Sequence, residues 1–332
     1  MNPILAPPNG RAASELFQPI ARDLEIVEGI LRATLESSQP GVGRLLGHLA
    51  HYRGKRLRPA LLLLTAQACG QMTPSHHVLA AALEMIHTAT LVHDDVLDGA
   101  SVRRHVYTVN AAWGNQASIL LGDYLFTHAF HLTSTLDDAT ACRLIGEATN
   151  RLCAGELHQI CERGNLDLSE DAYFDIIDGK TAELTSCCCR LGALYSGMDE
   201  DAVDTLASFG RSLGMAFQIA DDLLDLVGEE RAAGKSLGTD LIEQKLTLPV
   251  IYYLRQCSPE KSKRLRTMLE NPSQHLRARL APELAAGGAL DYARGRAEAY
   301  AAHAAGQLIF LPPSECKTIL EHLTEKVVHR DR

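Results

Sequence analysis

Little in this sequence alternates. Stretches in which Val or Ile take turns with polar residues are hard to find, which argues against a sheet protein. Aromatic residues make up only 5% of the 332, with a single Trp, so the interior must be filled by the abundant Leu and Ala, both strong helix formers. No apolar run reaches the ~18 residues of a membrane span. Positive charge is in deficit: 32 Lys and Arg against 41 Asp and Glu leave a net charge of -9, which argues against a general nucleic-acid binder. The stretch from Met1 to Arg11 holds three prolines and no apolar core of a signal peptide, and nine cysteines are an odd number for a disulfide framework. Both features point to a reduced, cytoplasmic setting. Cys187, Cys188 and Cys189 are consecutive, lack the paired spacing of a zinc site, and read as small buried hydrophobes.

What is present is helical periodicity along nearly the whole chain. It predicts helices over 13–36, 42–50, 56–70, 75–98, 116–136, 138–163, 169–196, 200–228, 245–256, 259–270, 275–285, 287–309 and 313–329. Pro74-Ser75 can open one of these, Gly99 can end it, and Asp199 can cap another. Hydrophobic residues at 46% are enough for a sizeable core, and no linker or low-complexity tract divides the chain. The expectation is a single all-α domain over 12–332 behind a loose first stretch, 1–11.

Two of these helices end unusually. Leu91-Val92-His93-Asp94-Asp95-Val96-Leu97-Asp98 and Ile219-Ala220-Asp221-Asp222-Leu223-Leu224-Asp225 each carry Asp-Asp-x-x-Asp on an apolar helix. Spacings of three and four put the three carboxylates of each cluster on one face, where like charges destabilise a helix by ~0.2–0.5 kcal/mol per pair. They also lie near the negative end of the helix dipole. A solvated acidic end is the bland explanation for one such cluster, but it does not account well for two. Carboxylates suit a hard cation, and Mg²⁺ typically takes one or two of them and fills its shell with water and phosphate oxygens. A di-iron bundle would need Glu-x-x-His pairs, which these clusters lack. Above the clusters, Glu84, His87 and Leu91 precede Asp94 at helical steps, and Gly214 and Gln218 precede Asp221. A polar mouth over an apolar shaft suits a substrate with a charged head and a greasy tail.

Basic residues recur around the clusters. Gly54-Lys55-Arg56-Leu57-Arg58-Pro59 places three cations in four residues at a helix start, where a diphosphate can be held by side chains and the helix N-terminus. Arg103-Arg104 follows the first cluster, Lys180-Thr181 interrupts a helical stretch, and Lys235 and Lys245 follow the second cluster. Any one of these alone is commonly a surface charge, and His87 alone is commonly a core histidine. Their order around two acidic clusters is what carries weight.

In this order the residues resemble the trans-isoprenyl diphosphate synthase family, over about residues 50 to 255 and more weakly to the C-terminus. Leu91 to Arg104 looks like the first aspartate-rich motif with its Arg-Arg pair, Phe217 to Asp225 like the second, and Gly54 to Pro59 like the isopentenyl diphosphate motif. The stretch Ile86 to Asp123 is most similar to long-chain members that make quinone side chains. The resemblance implies the isoprenoid synthase fold, a helical bundle around a central cavity, and a homodimer. It implies that Asp94, Asp95, Asp98, Asp221, Asp222 and Asp225 bind Mg²⁺, about three ions. It further implies that Lys55, Arg58, His87 and Arg104 bind isopentenyl diphosphate, and that Arg103, Lys180, Thr181, Gln218 and Lys235, with Lys245 a weaker candidate, hold the allylic diphosphate. Asp94, Asp95, Lys180 and Asp221 would be catalytic. One departure is His105, where the family usually has Gly, and a side chain there restricts the loop's dihedrals.

The implied reaction is ionisation, condensation and elimination, giving a trans double bond. Thr90 and Ala89, four and five residues before Asp94, are small, so a growing tail can pass; the product expected is roughly seven to ten isoprene units long. A short-chain synthase remains the alternative. A class I terpene cyclase would replace the second cluster with Asn/Asp-x-x-Ser/Thr-x-x-x-Glu, and a non-catalytic subunit would lose its aspartates. A greasy product gives a reason for transient membrane contact without an anchor.

Overall fold

Two of the long helices begin or end on a device legible in their own residues. The computed structural model describes residues 16–49, 54–103, 106–228, 237–273 and 275–328. Thr73 opens the helix Pro74–Leu97 with a capping box in which the partner is His76, Pro74 occupies the first turn, and Gly99 (φ 60°) ends it in the left-handed region. The Asp199 carboxylate accepts the Ala202 amide (2.9 Å) at the start of Glu200–Val227. The described residues are overwhelmingly helical, as expected for an all-α chain, and none of their helices is long and apolar enough to cross a membrane. All nine cysteines are free thiols, and Cys187, Cys188 and Cys189 are buried.

Contacts within the chain group it into two compact units, one of residues 1–145, 188–206 and 310–322, the other of 146–187, 207–309 and 323–332. In the first unit, Pro74–Leu97 packs against Ala21–Thr34, Leu57–Ala68 and Asn115–Thr133. Ala89 and Val92 on that helix bury against Leu121 and Leu125, with Leu46, Leu49 and Val109 closing the cluster. The close approach of Asn115–Thr133 depends on Gly122: a Cβ there would lie 2.1 Å from His93 Nε2. In the second unit, the helices Glu170–Ile177, Leu248–Gln256, Pro259–Glu270, Leu276–Ala286 and Ala289–Gln307 share an apolar core with Met215, Ile219, Leu223 and Leu226 of Glu200–Val227.

The structure differs from the periodicity in three places. The expected helix 169–196 is broken: Glu170–Ile177 and Glu183–Leu194 are separated by a π-turn, Asp178–Ala182, closed by a bond from the Glu183 amide to the Asp178 carbonyl. A π-turn inserts one extra residue and has no apolar period of its own, so periodicity cannot register it. A two-stranded antiparallel hairpin pairs Val102 with Tyr107 and Arg103 with Val106, too short to show alternation. Short helices Val109–Trp113 and Thr239–Ile242 occupy the two long breaks. The first eleven residues, expected to be loose, lie outside the described residues, as do Arg104, His105 and Lys235.

Candidate active site

In the first unit the three aspartates sit in three environments. Asp94 is half-buried at the end of Pro74–Leu97, Asp98 is the exposed cap of that helix, and Asp95 is fully buried. Arg103 meets Asp95 from the hairpin, Nε donating to Oδ1 at 2.8 Å. Asn110 fastens the turn between them, its amide donating to the carbonyls of Asp95 and Ala100 at 3.0 Å each. Residues 95 to 103 are thereby tied to the helix end, with Arg103, the expected ligand of a substrate diphosphate, paired to a carboxylate.

The basic motif lies in the same unit. Arg56 takes up a left-handed conformation (φ 52°, ψ 36°) at the start of Leu57–Ala68, a region that costs a non-Gly residue energy. Two contacts offset this: Nε to Glu28 and Nη1 to Glu84, both at 2.5 Å. The middle cation of the motif is thus used internally, while Lys55 is exposed and Arg58 half-buried. Arg58 Nε is buried without a hydrogen-bond partner, and burial pushes the guanidinium's pKa down. A buried cation with an unmatched N–H is a fit for an anionic oxygen brought by a ligand. His87 is half-buried one turn before Leu91, and Thr90 turns its hydroxyl onto the His87 carbonyl (2.8 Å). Ala89, the expected chain-length position, is wholly buried within the apolar cluster.

In the second unit a small cavity gathers several expected residues: Lys180, Gln218, Asp222 and Lys245, together with Tyr173 and Asp240. A continuous hydrogen-bonded relay crosses its wall. Thr181 Oγ1 donates to Gln218 Oε1 (2.7 Å), Gln218 Nε2 donates to Asp222 Oδ1 (2.7 Å), and Tyr173 OH donates to Asp222 Oδ2 (2.7 Å). Despite these two bonds, burial and the neighbouring carboxylates Asp221 and Asp225 raise the Asp222 pKa to about 7. Asp225 accepts from the amides of Thr239 (3.4 Å) and Asp240 (3.3 Å) and from the Thr239 hydroxyl (3.1 Å), so it anchors the short helix after the break. Asp221 is half-exposed. These bonds orient Asp222 and Asp225 without exhausting them, since a carboxylate offers about four lone-pair sites. Lys180 Nζ is held by Glu156 (2.8 Å) and Gln159 (3.0 Å), and Lys245 Nζ by Glu243 (2.5 Å). Tyr173, Asp240, Glu156 and Gln159 escaped the sequence; Tyr173 lies 49 positions from its partner, and no local pattern signals it.

Among the described residues, no three His, Cys, Asp or Glu side chains form a ready-made metal site. The neighbouring carboxylates of Asp221, Asp222 and Asp225, with lone pairs left over after their hydrogen bonds, fit a divalent ion that brings its own water and phosphate ligands.

Comparisons with known proteins find relatives along nearly the whole chain. A sequence model of the family described as polyprenyl synthetase matches residues 39–281. Octaprenyl diphosphate synthase of Escherichia coli is 35% identical over 313 residues, 94% of this chain and 97% of that protein. A decaprenyl diphosphate synthase from Rhodobacter capsulatus superposes with a TM-score of 0.90 at 34% identity, covering 96% of this chain and 99% of the other. A polyprenyl synthase from Caulobacter crescentus, solved with calcium and isoprenyl diphosphate, gives 0.91 at 32% identity, with 96% and 98% covered. With its all-α fold shared along nearly its full length and both aspartate clusters inside the matched region, the chain belongs to the polyprenyl synthetase family.

Proposed function

We propose that the protein is a trans-polyprenyl diphosphate synthase, a prenyltransferase that joins isopentenyl diphosphate to an allylic diphosphate such as farnesyl diphosphate and yields a medium or long all-trans product, for quinone side chains. The observation that carries it is the cavity in the second unit, lined by Lys180, Lys245 and Gln218 together with the buried carboxylate of Asp222, with Thr181 bonded to Gln218. Cations and carboxylates together in one small space suit a diphosphate that arrives with divalent cations. The nearby structure from Caulobacter crescentus holds calcium and isoprenyl diphosphate.

Asp94, Asp95, Asp98, Asp221, Asp222 and Asp225 would hold Mg²⁺. When bound, the ions neutralise charge growing on the departing pyrophosphate. Lys180, Thr181, Gln218, Lys245, Arg103 and Lys235 would hold the allylic diphosphate. Lys180 and Lys245 would exchange their carboxylate partners for phosphate oxygens, so no new cation needs to be buried. Lys55, Arg58, His87 and Arg104 would hold isopentenyl diphosphate, with Arg58 finding the acceptor its Nε lacks. In the reaction the allylic C–O bond breaks, with its electron pair leaving on pyrophosphate. The isopentenyl double bond then forms the new C–C bond, and loss of a proton restores a double bond. The residues stabilise the leaving group electrostatically and position the two substrates. Residues 12–332 would act as one catalytic domain in the cytoplasm, with membrane contact only through the product. Ile119 and Leu120, exposed on Asn115–Thr133, give a reason for a homodimer, measurable by light scattering.

The test is incubation of the purified protein with labelled isopentenyl diphosphate, farnesyl diphosphate and Mg²⁺, followed by chromatography. A ladder of elongated diphosphates supports the proposal. A hydrocarbon product would mean a cyclase instead, and no product would mean a subunit that needs a partner.

A further inference from the structure

We infer that Arg211 is a positioning residue: it clamps both ends of the π-turn that carries Lys180 and Thr181, and thereby sets the affinity for the allylic diphosphate. The inference rests on the proposed role of those two residues. The turn is five residues long, and Arg211 reaches across it. Nη1 pairs with Asp178, its first residue, and Nη2 pairs with Glu183, the residue directly after it, at 2.5 Å. Arg151 adds a second, longer contact to Glu183 at 3.3 Å.

Among the described residues, the ion pairs at the two ends of the turn come from Arg211 and Arg151. Asp178 does not bury into a core; with Arg211, Met215, Arg296 and His303 it lines a cleft of about 620 Å³. In its middle, Thr181 bonds Gln218 and Lys180 bonds Glu156 and Gln159, and the turn also meets its neighbours through bare backbone. A Cβ on Gly155 would lie 2.6 Å from the Lys180 amide, and a Cβ on Gly214 would lie 2.6 Å from Ala182 Cα. Such contacts block motion inward but do not prevent the turn from swinging outward into the cleft. At the two ends of the turn, the Arg211 ion pairs act in tension.

Arg211 also shares a helix face with the relay. Arg211, Gly214, Gln218 and Asp222 follow at steps of three, four and four on Glu200–Val227, which places them in one row. Arg211 grips the turn, Gly214 lets it approach, and Gln218 receives Thr181 and passes the contact to Asp222. One rigid helix therefore fixes the distance between the Lys180-Thr181 pair and the second aspartate cluster. A π-turn is an uncommon element found mostly as single turns, frequently at functional sites, so a dedicated fastening has a physical reason. Lys at this position keeps the charge but cannot fork to two carboxylates.

The test compares wild type, Arg211→Gln, Arg211→Lys and Lys180→Ala in steady-state elongation with farnesyl diphosphate and isopentenyl diphosphate, with backbone hydrogen exchange over residues 178–183. Arg211→Gln is expected to raise KM for farnesyl diphosphate about tenfold, leave KM for isopentenyl diphosphate within about twofold, and speed exchange in the turn, with Arg211→Lys in between. Equal rises in both KM values, or unchanged KM and unchanged exchange, overturn the inference. Lys180→Ala separates the two levels. If it binds farnesyl diphosphate as wild type does, the assignment of Lys180 fails and the inference about affinity fails with it. If Lys180→Ala weakens binding and Arg211→Gln does not, the clamp alone is wrong.

Discussion

Replacing Gly155 with Ala is expected to damage activity far more than stability. The helix Thr140–Cys161 passes the π-turn at Gly155, and a Cβ there would lie 2.6 Å from the Lys180 amide nitrogen, 3.0 Å from the Gly179 carbonyl carbon and 3.1 Å from the Ile176 carbonyl oxygen. All three are backbone atoms, so no flexible side chain can yield. Restoring ordinary van der Waals contact at the closest of them requires a displacement of about 0.8 Å. Overpacking of this kind costs ~1–3 kcal/mol, while Ala in place of Gly inside a helix returns ~1 kcal/mol. The net loss is ~0–2 kcal/mol, a fall of only a few degrees in Tm for a chain this long. The displacement falls directly on Lys180, and a misplacement near 1 Å can cost about 100-fold in rate. Elongation kinetics should therefore show kcat/KM down by about 10- to 100-fold, with the change concentrated on the allylic substrate. Gly146→Ala on the same helix is the control: nothing lies within 4 Å of its Cβ position, so it should gain slightly in Tm and keep its activity. Wild-type kinetics in Gly155→Ala, or equal losses in both variants, would refute the reasoning.

Asp94→Ala and Asp221→Ala should each lower turnover by at least about 100-fold with the circular dichroism melt preserved, because both side chains are only half-buried; near-normal turnover in either would count against metal binding there. His76 makes one contribution to the pH dependence of stability. Its Nδ1 accepts the Thr73 amide at 2.9 Å while Nε2 faces the Gly192 carbonyl at 3.1 Å, so the neutral ring is required and burial holds its pKa below the usual value. The folded state then binds fewer protons than the unfolded chain, so this contribution is complete above the unfolded pKa of ~6.5 and is lost as pH falls through it. In melts from pH 8 to pH 5, wild type should lose stability relative to His76→Gln as pH falls, whatever the raised pKa of Asp222 adds to both; an unchanged difference between the two would exclude the His76 contribution. Thr90→Phe and Ala89→Phe should shorten the product, seen by chromatography, with Ala89→Phe also losing ~1–3 kcal/mol of stability because Ala89 is wholly buried among Val92, Leu121 and Leu125. A wild-type product distribution in both variants would place the limit on chain length elsewhere.

Charge spacing made both aspartate clusters legible. Asp94 to Asp98 and Asp221 to Asp225 each lie within about one helical turn, so their shared face follows from the 3.6-residue period alone. The cation motif at Lys55 to Arg58 was equally visible, but the division of labour inside it was not. Arg56 spends its charge on Glu28 and Glu84, each 28 positions away, while Arg58 keeps an unmatched N–H. The second cluster divides similarly. Three aspartates that look equivalent in the chain become one half-exposed carboxylate, one bonded to Tyr173 and Gln218, and one anchoring Thr239 and Asp240.

By itself the sequence determined the helical class, the ends of Pro74–Leu97 at Pro74 and Gly99, and the burial of the three consecutive cysteines, because each depends on contacts within a turn or on bulk apolarity. Only the tertiary structure decided the π-turn at Asp178–Ala182, the pairing of Lys180 with Glu156, and the grip of Arg211 on Asp178 and Glu183. Those depend on which backbones can approach closely enough, here at Gly155 and Gly214, and a glycine in the chain does not announce what will be packed against it.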